Sequence, residues 1–390
     1  MKIVVTAGAR PNFVKVAPLI KEMQRYPALL PVLIHTGQHY DHMMSEQFFT
    51  ELDLQPPTIN LGVGSGSHAT QTAEVLRRLE PILEMIKPRA VLVVGDVNST
   101  LGAALTAVKM GIPVAHVEAG LRSFDRTMPE EINRVLTDAI SDLLFVTEES
   151  GQQNLVREGI SREKIHFVGN VMIDALQASK PRWKSSSIFT RLGLESELPY
   201  AVLTLHRPCN VDDPVTLQEL LEALQVLTRR MPILFPVHPR VKPKLLRQPN
   251  LFWPQPNAGE SLPGKGISCL DPLGYLDCIA LMSRARVVLT DSGGIQEETT
   301  ILGVPCLTLR ETTERPITVT HGTNRVIGTD PARIVKETLL ALEHPSLPPP
   351  PPPFWDGRAA ERIVRILNAY GASHRSPVVR THRQSTGVSA

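Results

Sequence analysis

Twice along this 390-residue chain, short continuously apolar runs alternate with longer amphipathic stretches. A run such as AVLVVG has no polar position on either face. It therefore needs cover on both sides, the condition of a strand in a parallel sheet flanked by helices. In the first half the pattern predicts strands over Lys2–Thr6, Pro31–His35, Ala90–Gly95, Pro113–Glu118, Leu143–Thr147 and Lys164–Val168. Helices are expected over Val14–Tyr26, Ser67–Lys87, Thr100–Met110 and Glu130–Ile140. The alternation stops at residues 177–198, read as a linker, and then restarts. Strands are expected at Tyr200–Leu205, Ile233–Val237, Ile267–Leu270, Val287–Thr290, Cys306–Leu309 and Arg325–Ile327. Helices are expected at Pro214–Arg230, Gly274–Ser283, Gly294–Leu302 and Pro331–Glu343. The expectation is an α/β fold of two Rossmann-like, doubly wound domains, residues 1–176 and 199–347, facing a central cleft. Six prolines at 348–353 predict a stiff connector to a last helix near Trp355–Tyr370, together residues 348–371. Residues 372–390 are polar and predict a flexible tail.

Composition removes several function classes. Lys and Arg number 41 against 39 Asp and Glu, so no basic field marks a nucleic-acid or membrane-surface partner. Aromatic residues make up 5%, too few for base-stacking platforms. No window approaches 18 continuous apolar residues, and MKIVVTAGARPN reads as a first strand, not a signal peptide. Cys209, Cys269, Cys278 and Cys306 form no CxxC pair, which predicts reduced thiols and a cytoplasmic protein.

In doubly wound sheets ligands sit beyond the carboxyl ends of the strands, so those ends carry the chemistry. The first strand is followed by Gly8-Ala9-Arg10-Pro11-Asn12 and a helix carrying Lys15. The third ends in Gly95-Asp96-Val97-Asn98 and the fourth in His116-Val117-Glu118. In the second half strands end at His206-Arg207, His238-Pro239-Arg240 and Asp291-Ser292-Gly293-Gly294. Each residue also has a bland reading. Asp96 or Asn98 is equally a cap for the helix near Thr100, and Glu130 and Glu131 suit the first turn of a helix opened by Pro129. His206 and His238 read singly as hydrogen-bonded core histidines. Glu118 has no helix to cap.

The strongest local pattern is DSGGIQEE at residues 291–298, between a strand and a helix. Its glycines admit a phosphate to the free N–H groups of a helix start, and Glu298 one turn later suits a ribose diol. The bland reading is Ser292 as an ordinary N-cap. No G-x-G-x-x-G or Walker A pattern occurs, which disfavours a classical NAD or ATP site. No HExxH or D-x-D pair occurs either, so neither metal nor cofactor is expected; Arg10, Lys15, Arg207 and Arg315 offer the positive charge for a diphosphate.

Nine segments taken together carry a resemblance: GARPNFVKVAPLI, GQHYD, GDVNST, HVEAGLRS, MPEEINR, LHRPCNVDDP, FPVHPR, TDSGGIQEE and TTERP. In this order and spacing the chain resembles the non-hydrolysing UDP-N-acetylglucosamine 2-epimerases. The resemblance implies a glycosyltransferase-B-like fold with its site in the interdomain cleft, a last helix packed back on the first domain, and a homodimer. It implies reversible epimerisation at sugar carbon 2, by elimination of UDP to 2-acetamidoglucal and re-addition. Asp96, Glu118 and Glu130 are then the acid–base candidates, with Glu131 as the alternative to Glu130. Lys15 belongs to the catalytic cleft and His206 lies near the phosphates. Arg10, Ser292, Gly293 and Gly294 bind the diphosphate, Glu298 the ribose, Arg315 the sugar–phosphate side, and Leu273 and Cys278 the uracil. Many members carry an aromatic where this chain has Cys278, and an acid where it has Cys209. A second, allosteric UDP-N-acetylglucosamine would be lined by Gln38, Gln47 and His238.

Four rivals share parts of this pattern. A UDP-sugar glycosyltransferase explains the DSGG turn but not three carboxylates in the first domain. A 2-epimerase for a diacetamido uronic acid and a hydrolysing epimerase that releases UDP fit the same residues. A nucleotide-sugar-binding regulator makes Asp96, Glu118 and Glu130 a coincidence.

Overall fold

The computed structural model describes residues 1–37, 49–194, 198–246, 248, 250–253, 265–344 and 348–373. For Arg10, Ala372 and Ser373 it describes the backbone alone. Gln38 and Gln47 lie outside the described residues, as does the expected tail from residue 374 onward.

Among the described residues two sheets of seven strands form, and every pairing in both is parallel. The first contains β1 (Lys2–Ala7), β2 (Leu30–His35), β3 (Ile59–Asn60), β4 (Ala90–Val94), β5 (Val114–Ala119), β6 (Leu143–Val146) and β7 (Ile165–Phe167), in the order β3-β2-β1-β4-β5-β6-β7. The second contains β8 (Ala201–Thr204), β9 (Ile233–Pro236), β10 (Leu251–Phe252), β11 (Ile267–Leu270), β12 (Val287–Thr290), β13 (Cys306–Thr308) and β14 (Asn324–Val326), ordered β10-β11-β9-β8-β12-β13-β14. The strand order reverses between β1 and β4, and between β8 and β12. Those crevices receive ligands in such folds. They place the ends of β1 and β4 in the first half, and of β8 and β12 in the second, as the chemically relevant edges.

The helices that matter here are α1 (Arg10–Met23), α2 (His68–Ile86), α3 (Asn98–Lys109), α4 (Pro129–Ile140), α5 (Glu149–Arg157), α6 (Val171–Ala178), α7 (Pro214–Leu227), α8 (Tyr275–Arg284), α9 (Gly293–Leu302), α10 (Pro331–Glu343) and α11 (Ala359–Ser373). The expected elements all form. Two edge strands, β3 and β10, lie outside the expectation because two residues carry no periodicity. Segment 177–198 contains two short helices, Lys180–Lys184 and Ile188–Arg191. The capping reading of Asp96 and Asn98 is corrected: Val97 is the N-cap of α3 without any side-chain bond, and Asn98 is already helical.

One apolar cluster runs from Phe13 and Leu92 through Trp183 to Ile279 and Val288, so the two halves share a core. The last helix joins that cluster through Ile363, Val364 and Leu367. Asp174 in α6 accepts the Ala359 and Ala360 N–H groups at 3.1 and 2.7 Å, capping α11 from the first half. Trp355, 1% exposed, donates its indole N–H to the Thr147 carbonyl at 3.0 Å. Among the described residues no helix is long and apolar enough to cross a membrane.

Candidate active site

At the end of β5 the pairing register with β6 shifts between Val117 and Ala119, and Glu118 takes φ +74°. A side chain there costs on the order of 1–3 kcal/mol and persists only where the surroundings enforce it. Buried Asp138 supplies that enforcement. Its Oδ1 meets His116 Nδ1 at 2.7 Å and its Oδ2 accepts Gly120 N–H at 3.0 Å, pinning the residues two before and two after Glu118. His116 Nε2 also reaches the Gly95 carbonyl at 2.9 Å, which ties β5 to the turn carrying Asp96. The kink aims Glu118 at two cations. Lys15 from α1 forms an ion pair with Oε2, and Arg315 from the second half donates to Oε1 at 2.6 Å.

Asp96 follows Gly95 and stays a quarter exposed. Arg134 in α4 donates to its Oδ2 at 2.6 Å. Burial opposes ionisation of Asp96, but the charges of Arg134, Lys15 and Arg315 outweigh it and hold its carboxyl below the usual range. Arg134 is itself enclosed and pairs with Glu131 at 2.6 Å. Glu131 accepts further bonds from Ser123 N–H and Oγ, both at 2.9 Å, and from Phe124 N–H at 3.0 Å. Glu131, the alternative to Glu130, is 2% exposed and braces Arg134. Glu130, one residue earlier, is a third exposed and lies 3.5 Å from Arg207 of the second half.

Across the cleft, Asp291 ends β12 fully buried and accepts the N–H groups of His206 and Arg207 at 3.0 and 2.9 Å. It also faces His206 Nδ1 at 2.9 Å, fixing that ring. His238 stacks beside His206 at 5.8 Å and accepts Arg240 N–H through Nδ1 at 3.2 Å. Ser292 is the N-cap of α9 but its hydroxyl makes no capping bond. Ser292 thus holds the N-cap position of the bland reading without its bond, and that side chain leaves the helix dipole uncapped.

Arg315 sits at the centre of the second half's contribution. Besides Glu118 it pairs with Glu297 at 2.7 Å and with Glu314. Arg310 pairs with Glu314 at 2.9 Å, and these cations pull that carboxyl far down despite its burial. Burial and the Glu118 charge push Glu297 the other way, upward. A Cβ at Gly293 would lie 2.3 Å from Arg315 Nη1 and 2.6 Å from Glu314 Oε1, so only glycine fits beside the anchored guanidinium. Gly293→Ala is expected to cost about 1–3 kcal/mol of stability by overpacking. The readout is the urea unfolding midpoint, and an unmoved midpoint would mean that the guanidinium swings aside.

Glu298 is buried beside Tyr275 and Cys278, and burial raises its carboxyl to about 8. Leu273 packs at the edge of the shared core nearby. Arg10 opens α1, and its side chain lies outside the described atoms. The structure thus brings together Lys15, Asp96, Glu118, Glu130, Gly293 and Arg315, with His206 and His238 side by side. Sequence reasoning assigned no role to Arg134, His116, Asp138, Glu297 or Glu314. A signal for Arg134 was available in its spacing to Glu131. Among the described residues no group of three or more His, Cys, Asp or Glu is placed to hold a metal ion.

The family profile described as UDP-N-acetylglucosamine 2-epimerase matches residues 21–368. The chain belongs to the UDP-N-acetylglucosamine 2-epimerase family. It is 43% identical to the UDP-N-acetylglucosamine 2-epimerase of Methanocaldococcus jannaschii over 95% of this chain and all of that protein. It is 39% identical to the UDP-2,3-diacetamido-2,3-dideoxy-D-glucuronate 2-epimerase of Pseudomonas aeruginosa, over 94% of this chain and 99% of that one. The solved M. jannaschii epimerase, in complex with UDP-GlcNAc and UDP, matches with a TM-score of 0.83 over 95% of this chain and 100% of its own, at 39% identity. The Neisseria meningitidis epimerase bound to UDP-GlcNAc matches with a TM-score of 0.85 at 29% identity, with the same coverage. A Streptomyces glycosyltransferase complexed with thymidine diphosphate, 16% identical with a TM-score of 0.50, shares the fold alone. The two facing parallel sheets of this epimerase-family chain are thus an architecture common to epimerases and a glycosyltransferase.

Proposed function

We propose that this chain interconverts UDP-N-acetylglucosamine and UDP-N-acetylmannosamine by eliminating and re-adding UDP at a 2-acetamidoglucal intermediate. The observation that carries the reading is the Glu118–Arg315 bond between the halves, with Asp96 in the field of the same guanidinium, Glu130 beside Arg207 of the second half, and Gly293 at the α9 start against Arg315. The C1–O bond breaks with its electron pair moving to the diphosphate, while a carboxylate takes the proton from carbon 2. The C1–O bond then re-forms as carbon 2 receives a proton on the opposite face from a second acid–base group. Charge developing on the diphosphate is met by the N–H groups of α9 and by Arg315, groups already held in place before the reaction. Lys15 and Arg315 hold Glu118 between them, so a carboxylate and two cations line the same point of the cleft. His206, fixed by Asp291, stands on the phosphate side, and Glu298 takes the ribose.

Incubation with UDP-N-acetylglucosamine in deuterated water, followed by NMR, tests the reading. The expected result is deuterium at carbon 2 and an equilibrium of both UDP-sugars. Stoichiometric UDP release would instead identify a hydrolysing enzyme, and an unreacted, unlabelled sugar would remove both. The 39% identity to the diacetamido-glucuronate epimerase makes that UDP-sugar the second substrate to assay.

The same reading divides the chain at 1–176, 177–198, 199–347 and 348–371. It includes a homodimer, and an activating UDP-N-acetylglucosamine at His238 with Gln38 and Gln47. A cytoplasmic setting is supported by four free thiols.

A further inference from the structure

Helix α8 begins without a cap of its own. Gly274 occupies the N-cap position and has no side chain to offer. Asp277 in the first turn is taken by the linker, accepting Ser186 Oγ at 2.5 Å and pairing with Arg191. The helix start is satisfied from the other half of the molecule. Glu51 Oε2 accepts Tyr275 N–H at 2.6 Å and Leu276 N–H at 3.4 Å, across 224 residues of sequence. A carboxylate there also meets the positive end of the helix dipole. Glu51 is held in turn, because Arg182 of the linker donates to the Glu51 and Thr50 carbonyls at 2.7 and 3.2 Å.

The residue whose backbone Glu51 caps is the one whose side chain faces Glu298. Tyr275 is 7% exposed, and its phenol lies within hydrogen-bonding reach of Glu298. Its electrostatic neighbours are Glu298 and Cys278. A phenol and a carboxyl side by side keep further donor and acceptor capacity that a ligand's hydroxyls can use.

We propose that Glu51 is a positioning residue for the nucleotide's ribose: by capping α8 from the opposite half, it sets the Tyr275 phenol beside Glu298, and the two together bind the ribose diol. This rests on the assignment of Glu298 to the ribose. Its consequence is that the first half helps to order the nucleotide site of the second, so nucleotide discrimination depends on a residue 224 positions from Tyr275.

The experiment compares UDP and 2′-deoxy-UDP binding by calorimetry in the full chain and its variants. A site built to bond a hydroxyl rejects the analogue that lacks it, so the unsubstituted enzyme is expected to prefer UDP. Glu51→Ala is expected to weaken UDP about five- to tenfold, the scale of a lost cap, and to shrink the UDP preference by at least about threefold. Glu51→Gln retains an acceptor oxygen and is expected to restore the preference to within about twofold of the unsubstituted enzyme. Tyr275→Phe is expected to shrink it as Glu51→Ala does. An unchanged preference in Glu51→Ala, whatever happens to affinity or melting temperature, overturns the proposal and leaves Glu51 a structural cap. Should Glu51→Ala fail to fold, an unchanged preference in Tyr275→Phe overturns it equally. Failure of the unsubstituted enzyme to bind UDP would instead count against the function itself.

Discussion

Asp96→Asn is expected to lower kcat by about two to four orders of magnitude, the range of a lost acid–base group. UDP affinity is expected to stay within about threefold, under roughly 1 kcal/mol. The substitution keeps shape and one acceptor oxygen for Arg134, and removes the charge and the proton acceptor. The Asp96 carboxylate is held by Arg134 of the same half, so UDP binding has little to lose. A large loss of UDP binding would demote Asp96 to a structural role, and an unchanged kcat would exclude it from proton transfer. The pH profile adds a sign. Burial opposes charge on Asp96, and Arg134, Lys15 and Arg315 together hold its pKa below the ordinary value. It is therefore ionised above that lowered pKa and available to accept a proton across the neutral range, until pH falls through it. Arg134→Gln removes the first of those cations, so the acid limb of kcat is expected to move to higher pH. A limb that stays in place would show that another carboxylate sets it.

Arg315→Met is expected to destabilise the fold by about 3–5 kcal/mol, because one buried cation serves three buried carboxylates. Glu118 keeps Lys15 and Glu314 keeps Arg310, but Glu297 loses its ion pair and is left with the field of Lys15, which is itself paired with Glu118. Glu297 is already pushed upward by its burial. Without Arg315 its folded pKa rises further above the unfolded value, so protonation relieves the defect. The loss is therefore expected to be larger at pH 8 than at pH 5, read as the urea midpoint at each pH. Equal losses would assign the effect to packing. Adding Glu297→Met to Arg315→Met is expected to recover part of the stability at pH 8, since an apolar side chain replaces the unpaired charge.

The second half's phosphate turn illustrates how far a local reading reaches. DSGG between a strand and a helix is a pattern of neighbours in sequence, and Gly293 and Ser292 are found at the helix start as expected. The reason for Gly293 was not legible. Its missing Cβ makes room for Arg315 and Glu314, 22 and 21 residues later and on a different loop. Arg134 shows the same limit from the other side. In sequence it is one more helical charge three residues after Glu131, a spacing that surface pairs share. In the fold it is buried and joins the acid–base candidate to its brace.

What the amino-acid order determined by itself was the alternation of strand and helix, its restart after residue 177, and the strand ends where polar residues gather. Those features follow from periodicity and from the solvation of each face, which are properties of short segments. Only the tertiary structure decided which carboxylates stay ionised, that Glu131 is a brace, and that Glu51 caps a helix of the opposite half. Each of those depends on a charge or N–H supplied by a distant segment. In a buried site the nearest opposite charge, and not the residue's own chemistry, sets both the protonation and the direction in which a side chain points.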